Sequence, residues 1–167
     1  LADKNHFVVM SFSGMGDSEW RSYYDKDTFV EDVWGVVKET NLEKPVVVGH
    51  SFGGMISLAT AHKYGREMSG LILVDFVVRR PENHVEWYKN MPPSKPPKIR
   101  SSKEELIQRF RLMPPQDCQN QFLLDFIAEK SIRETDGGWS WTFDPSTYDH
   151  LEVGNDQHEI IRQLNCP

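Results

Sequence analysis

The sequence predicts an α/β fold, a mostly parallel sheet flanked by helices and carrying a helical insertion. Three observations point there. Short runs rich in Val, Ile and Phe occur at residues 6–12 (HFVVMSF), 45–48 (PVVV) and 71–78 (LILVDFVV). Amphipathic segments at helical spacing separate them, and a serine between two glycines follows the second run. Continuous apolar runs suit strands buried on both faces, and their alternation with helices suits right-handed parallel crossovers.

Each element has its own signal. In residues 27–40 (DTFVEDVWGVVKET), Phe29, Val33 and Val37 recur at i, i+4, i+8 with Val30 and Trp34 beside them. Thr28 and Glu31 have capping-box spacing, so a helix is expected to start at Asp27 or Thr28. A second helix is expected over residues 55–64, with Gly65 as its stop. After Arg80 the character changes. Prolines crowd residues 92–97, and Ser101 or Ser102 with a glutamate three residues on starts a capped helix to about Leu112. A further helix follows over residues 119–132, with Phe122 and Phe126 on one face. Trp139, Trp141 and Phe143 cluster near a turn. With no β-type run read between Arg80 and Pro145, this part is expected to be helical, and one more helix is expected from Leu151 onward.

The bulk numbers exclude several classes. A chain of 167 residues supports one compact domain, and a net charge of −6 offers no positive field for nucleic acid or anionic lipid. No apolar stretch approaches the roughly 18 residues of a membrane span, and the first ten residues lack the pattern of a signal peptide. Cys118 and Cys166 are the only cysteines. They exclude a disulfide framework and a multi-cysteine zinc site, and suit a reducing, cytoplasmic setting.

The chemistry concentrates in GHSFGG. Gly49-His50-Ser51-Phe52-Gly53 matches G-x-S-x-G, in which the serine sits on a cramped strand-to-helix turn and Gly49 and Gly53 relieve crowding around it. A bare match arises by chance in roughly one chain of this length in twenty, so the context decides: an apolar run before, a helix after. Ser51 is the candidate nucleophile. The N–H of Phe52, in the first helical turn, is the candidate donor to an oxyanion. Neighbouring side chains on such a turn diverge, so His50 is expected to pack beneath it rather than act as base.

These residues resemble the α/β-hydrolase superfamily with a helical cap, over essentially the whole chain. FSGMGDS (12–18) is similar to the family's G-x-G-x-S loop after its fourth strand, and EKPVVVGHSFGG to its fifth strand and elbow. LILVDF is similar to the sixth strand, and IIRQLNCP to the helix and proline before the seventh. The resemblance implies a core over 1–80, a helical cap over 81–150 and a return helix over 151–167. It implies a serine hydrolase in which Ser51 attacks an ester, thioester, amide or activated carbon–carbon bond, a histidine takes its proton and a carboxylate orients that histidine. It also implies that these residues are a central portion without the acid and histidine segment, expected to be inactive alone. In the family another strand lies between the fourth and fifth, so residues 6–12 are expected to lack a neighbour, leaving about 5 Å of unpaired backbone on each side.

Within the chain, Asp75 is the alternative acid, against the plainer reading of a strand-end aspartate capping a turn. His84, His150 and His158 follow in the required order but fall in cap-like or tail helices. Trp87, Tyr88, Trp139, Trp141 and Phe143 read either as a substrate pocket or as the cap's own core. Glu31 and Asp32 read as a solvated helix face, and Pro93 to Pro96 as a hinge. No cofactor or metal is expected. The expected partners are a small-molecule substrate, and either the remainder of the fold or a second copy. A non-catalytic ligand-binding member of the fold, or a degenerate fragment, is the alternative function.

Overall fold

The computed structural model describes residues 2–78, 94–112, 115–151 and 156–167. Helix α1 (Lys26–Glu39) forms where Phe29, Val30, Val33, Trp34 and Val37 return to one buried face. It begins earlier than expected. Asp25 is the N-cap, its Oδ1 accepting from the Thr28 amide and hydroxyl, both at 2.7 Å. Thr28 is therefore the residue that is capped, and the capping carboxylate lies two or three residues before the expected start.

Strand β1 (Val46–His50), helix α2 (Phe52–Tyr64) and strand β2 (Gly70–Val74) follow in the predicted order. The strands pair in parallel, from Val46 opposite Gly70 to His50 opposite Val74. β2 stops short of Val78 because Asp75 turns to φ 46° and leaves the strand conformation. Both α1 and α2 lie over one face of the pair. Phe29 and Ile56 are fully buried there with Tyr24, Val30 and Leu151, and Val47 packs against them. Trp34, Val37, Ala61 and Met68 form a second cluster, where Trp34 stacks on Tyr64 at 4.3 Å.

Three expectations need correction. Residues 6–12 do not form a strand; Phe7 and Val9 are 58% and 92% exposed, and among the described residues nothing pairs with them. Strand geometry needs a neighbour to receive its N–H and C=O groups, and the β-type composition supplies none. Met10 and Phe12, at the inner end, still pack on the core.

The second concerns the segment after Arg80. Helices α3 (Lys103–Arg109), capped by Ser102, the second of the two serines the sequence offers, and ending before the expected Leu112, and α4 (Gln121–Lys130) are present. They are followed by an antiparallel hairpin, β3 (Ile132–Thr135) with β4 (Gly138–Trp141). Asp136 and Gly137 make its two-residue turn, with Gly137 at φ 88°. The segment expected to be helical thus contains a β element. The beginning of that segment, with His84, Trp87, Tyr88 and Pro93, lies outside the described residues. Third, the last helix, α5 (Gln157–Arg162), is shorter than expected, and the carbonyl of Pro167 instead accepts from the Leu71 N–H on β2 at 3.0 Å.

Candidate active site at a strand-to-helix corner

Ser51 sits between the last residue of β1 and the first of α2, at φ 51° and ψ −114°. An L-residue with a β-carbon is strained there, by about 1–3 kcal/mol, and persists only where its surroundings hold it. They do. The Ser51 N–H donates to Val74 O at 3.1 Å, and its carbonyl accepts from Gly54 N–H at 2.9 Å and Met55 N–H at 3.2 Å. Ser51 is exposed, and among the described residues nothing hydrogen-bonds its hydroxyl.

The glycines divide the work differently from the sequence reading. A β-carbon at Gly49 would collide with the Gly53 carbonyl and with Ser57 Oγ, so that position accepts only hydrogen. At Gly53 a β-carbon would meet nothing within 4 Å among the described residues; at Gly54 it would press on Phe76 Cβ at 3.0 Å. The steric demand thus falls on Gly49 and Gly54, because the corner folds back onto β1 and β2.

Phe52 opens α2. Its N–H and that of Gly53 have no acceptor among the described residues, as the first-turn amides of a helix do. Its ring is gripped edge-on by Phe12 at 5.5 Å, Phe29 at 5.3 Å and Tyr148 at 5.4 Å. Four distant parts of the chain therefore meet at the residue after the serine, and they fix the backbone that carries the candidate oxyanion donor.

His50 is not packed beneath the corner. Its side chain is 68% exposed and its Nε2 lies 3.8 Å from Asp75 Oδ2. The register that sets His50 opposite Val74 brings the two strand ends together, so Asp75 faces His50 rather than capping a turn. His150 stacks on Tyr23 at 4.8 Å, and His158 lies on α5. Among the described residues neither bonds to Ser51 or to a carboxylate.

Asp32 is likewise more than a solvated face. Its Oδ2 accepts from Ser13 N and Oγ at 3.1 and 2.6 Å, and its Oδ1 from Arg21 Nη2 at 2.7 Å. It pins the glycine loop of residues 13–18 to α1. Glu31 does join the surface reading, but as a bridge from α1 to α2, accepting from Lys63 Nζ and Tyr64 Oη at 2.7 and 2.8 Å. Lys63 first, then Tyr64, holds its carboxyl below the usual glutamate value.

Sequence reasoning did not find the pair Tyr24 and Asp144. The Tyr24 hydroxyl donates to Asp144 Oδ2 at 2.7 Å and accepts from Arg21 N–H, and both side chains are buried. Burial raises the Tyr24 pKa. Only the dipeptide Asp144-Pro145, a turn signal, hinted at this position. Of the aromatic candidates, Phe143 reaches Tyr148 at 5.5 Å and so joins the Phe52 cluster. Trp141 faces Phe110, and Trp139 pairs its backbone with Arg100.

Among the described residues no three His, Cys, Asp or Glu side chains converge as a metal-binding set. No described helix is long and apolar enough to cross a membrane. An open groove of about 800 Å³ lies beside Trp34, Lys38, Leu42 and Arg66, at the far end of α2 from Ser51.

The chain belongs to the α/β-hydrolase-fold family, whose model matches residues 1–135. It is 25% identical over 151 residues to a serine hydrolase-like protein of Danio rerio, covering 83% of this chain and 46% of that protein. It is 26% identical over 133 residues to the sn-1-specific diacylglycerol lipase ABHD11 of Danio rerio, covering 75% and 40%. The chain thus spans less than half the length of these two relatives. In fold it is similar to an esterase structure from Mycobacterium tuberculosis, with a TM-score of 0.67 at 22% identity, covering 93% of this chain and 53% of that one.

Proposed function

We propose that this chain carries the nucleophile of a serine hydrolase acting on a small-molecule ester, thioester, amide or activated carbon–carbon bond. One observation carries the reading: an exposed serine held at φ 51° on a strand-to-helix corner. The likeness to a serine hydrolase-like protein and to a diacylglycerol lipase supports it.

In the reaction Ser51 Oγ attacks the carbonyl carbon and a histidine takes its proton. The charge that develops on the carbonyl oxygen meets the Phe52 N–H at the positive end of the α2 dipole. The leaving alcohol, thiol or amine takes the proton back, and water then releases the acid from the acyl-serine. Asp75 is the alternative acid, although its neighbour is His50. Among the described residues no histidine bonds to Ser51, and His84 lies outside them; without a histidine at Ser51, these 167 residues turn over esters poorly. Losing the histidine of a comparable triad costs on the order of 10⁶ in rate.

That same observation favours a second reading, a ligand-binding member of the fold without catalysis. A fluorophosphonate probe separates the two. In the protein purified from its native source, it is expected to label Ser51, and Ser51→Ala to abolish labelling. A folded protein that binds ligand but stays unlabelled would favour the receptor.

A further inference from the structure

Three rings hold Phe52, and one differs from the others. Phe12 and Phe29 are hydrocarbons. Tyr148 is a phenol, only partly buried, whose hydroxyl has no hydrogen-bond partner among the described residues. Burial of the ring raises its pKa and keeps it a neutral donor. With only part of the ring buried, the hydroxyl is not among the buried unpartnered atoms and stays reachable from outside, the apolar body packed and the polar tip open.

The turn that delivers Tyr148 is built rigidly. Asp144 Oδ1 accepts from Ser146 N and Oγ, and Asp144 Oδ2 from Tyr24. Thr147 is fully buried, its hydroxyl donating to Asp144 O at 2.6 Å. Asp144 N–H in turn donates to Gly14 O at 2.8 Å, and Gly14 leaves no room for a β-carbon against Thr147 Oγ1 and the Tyr24 ring. The turn thus fixes where the Tyr148 ring lies beside Phe52, while its hydroxyl, bonded to no described residue, is free to meet a bound molecule.

We propose that Tyr148 is a substrate-positioning residue of the Ser51 site, its phenol donating a hydrogen bond to an oxygen of a bound ester and its ring lying beside Phe52. The proposal rests on the reading of Ser51 as the nucleophile for its location, but its test does not need turnover.

The test measures binding of p-nitrophenyl butyrate in the Ser51→Ala background, followed by quenching of tryptophan fluorescence in the protein from its native source. Adding Tyr148→Phe keeps the ring and removes the hydroxyl, and is expected to raise Kd about tenfold with the melting temperature unchanged. Tyr148→Leu is expected to weaken binding further and shift preference towards bulkier acyl chains. An equal Kd in the phenylalanine variant, or no binding by the Ser51→Ala protein, overturns the proposal. Fluorophosphonate labelling of the wild type scores Ser51 separately. In a labelling-competent protein, Tyr148→Phe is further expected to raise KM about tenfold and leave kcat within about twofold, the signature of lost uniform binding. A purely structural ring would move neither.

Discussion

The β1–β2 pair has two faces of similar composition and opposite fate. On one, Val47 and Leu71 pack against the clusters built by α1 and α2. On the other, Val46, Val48, Ile72 and Val74 are 44–60% exposed. Both faces come from the same five-residue strands, and the register sets them back to back. Parallel strands are ordinarily covered on both sides. The contrast separates two things that an apolar run conflates. Residue type determines that a segment can be dry, whereas dryness itself depends on which elements lie over it. Among the described residues, two helices lie over one face and none over the other.

The largest expected effect lies on the covered side. Gly49→Ala pushes a β-carbon into the Gly53 carbonyl and Ser57, where α2 meets β1. Urea unfolding should show a loss of roughly 3 kcal/mol, as overpacking against backbone does. Gly53→Ala is the control, with nothing within 4 Å among the described residues, and should stay within about 0.5 kcal/mol of wild type. Equal losses would mean that the corner is not folded back as described.

That pair also marks how far the sequence could be read. The order α1, β1, α2, β2 was legible, because helical periodicity and short apolar runs are local properties. So was the Ser51 corner, whose motif encodes its own backbone. The partners were not. Which glycine bears the contact depends on where Phe76 and Ser57 lie, and Asp32 binds Ser13 and Arg21 through a loop whose path no local pattern gives. Tyr24 and Asp144 are 120 residues apart. The expected strand at 6–12 is a different case: its composition suits a strand, and the missing neighbour that the family resemblance implies is missing among the described residues as well. The hairpin at 132–141 was different. Ile132, Thr135, Trp139 and Trp141 around Asp136-Gly137 carry a β-hairpin signal, but the same tryptophans suit a pocket or a helical core equally well, and composition alone does not separate the three.

A middle-sized effect tests the helix that covers the dry face. Asp25 caps α1, and the Thr28 hydroxyl first and its amide second hold the Asp25 carboxyl below the usual value of 3.8. A depressed folded-state pKa contributes stability above the unfolded value and loses it as pH falls through the folded one. Asp25→Ala should therefore cost about 1 kcal/mol at pH 7. The gap should narrow below about pH 4, as protonation weakens the wild-type cap. Asp25→Asn should keep most of the cap without that pH dependence. A gap between wild type and the alanine variant that holds constant down to pH 2 would show that the carboxylate does not act through its charge.

The smallest effect in stability sharpens the comparison most. Val48→Thr with Ile72→Thr keeps the β-branched shape that suits a strand and removes apolar surface from the exposed face. If that face meets water, each change should alter unfolding free energy by no more than about 0.5 kcal/mol. Binding of the dye 8-anilinonaphthalene-1-sulfonate, which reports accessible apolar surface, should fall about twofold in the double variant. Both results are needed, because each has its own alternative. Unchanged dye binding would place the accessible surface elsewhere, with the exposed rings Phe122 and Phe126 on α4 the next position to change. A cost of several kcal/mol would mean that Val48 and Ile72 are packed in solution, and the two faces would then differ only in which polypeptide covers them.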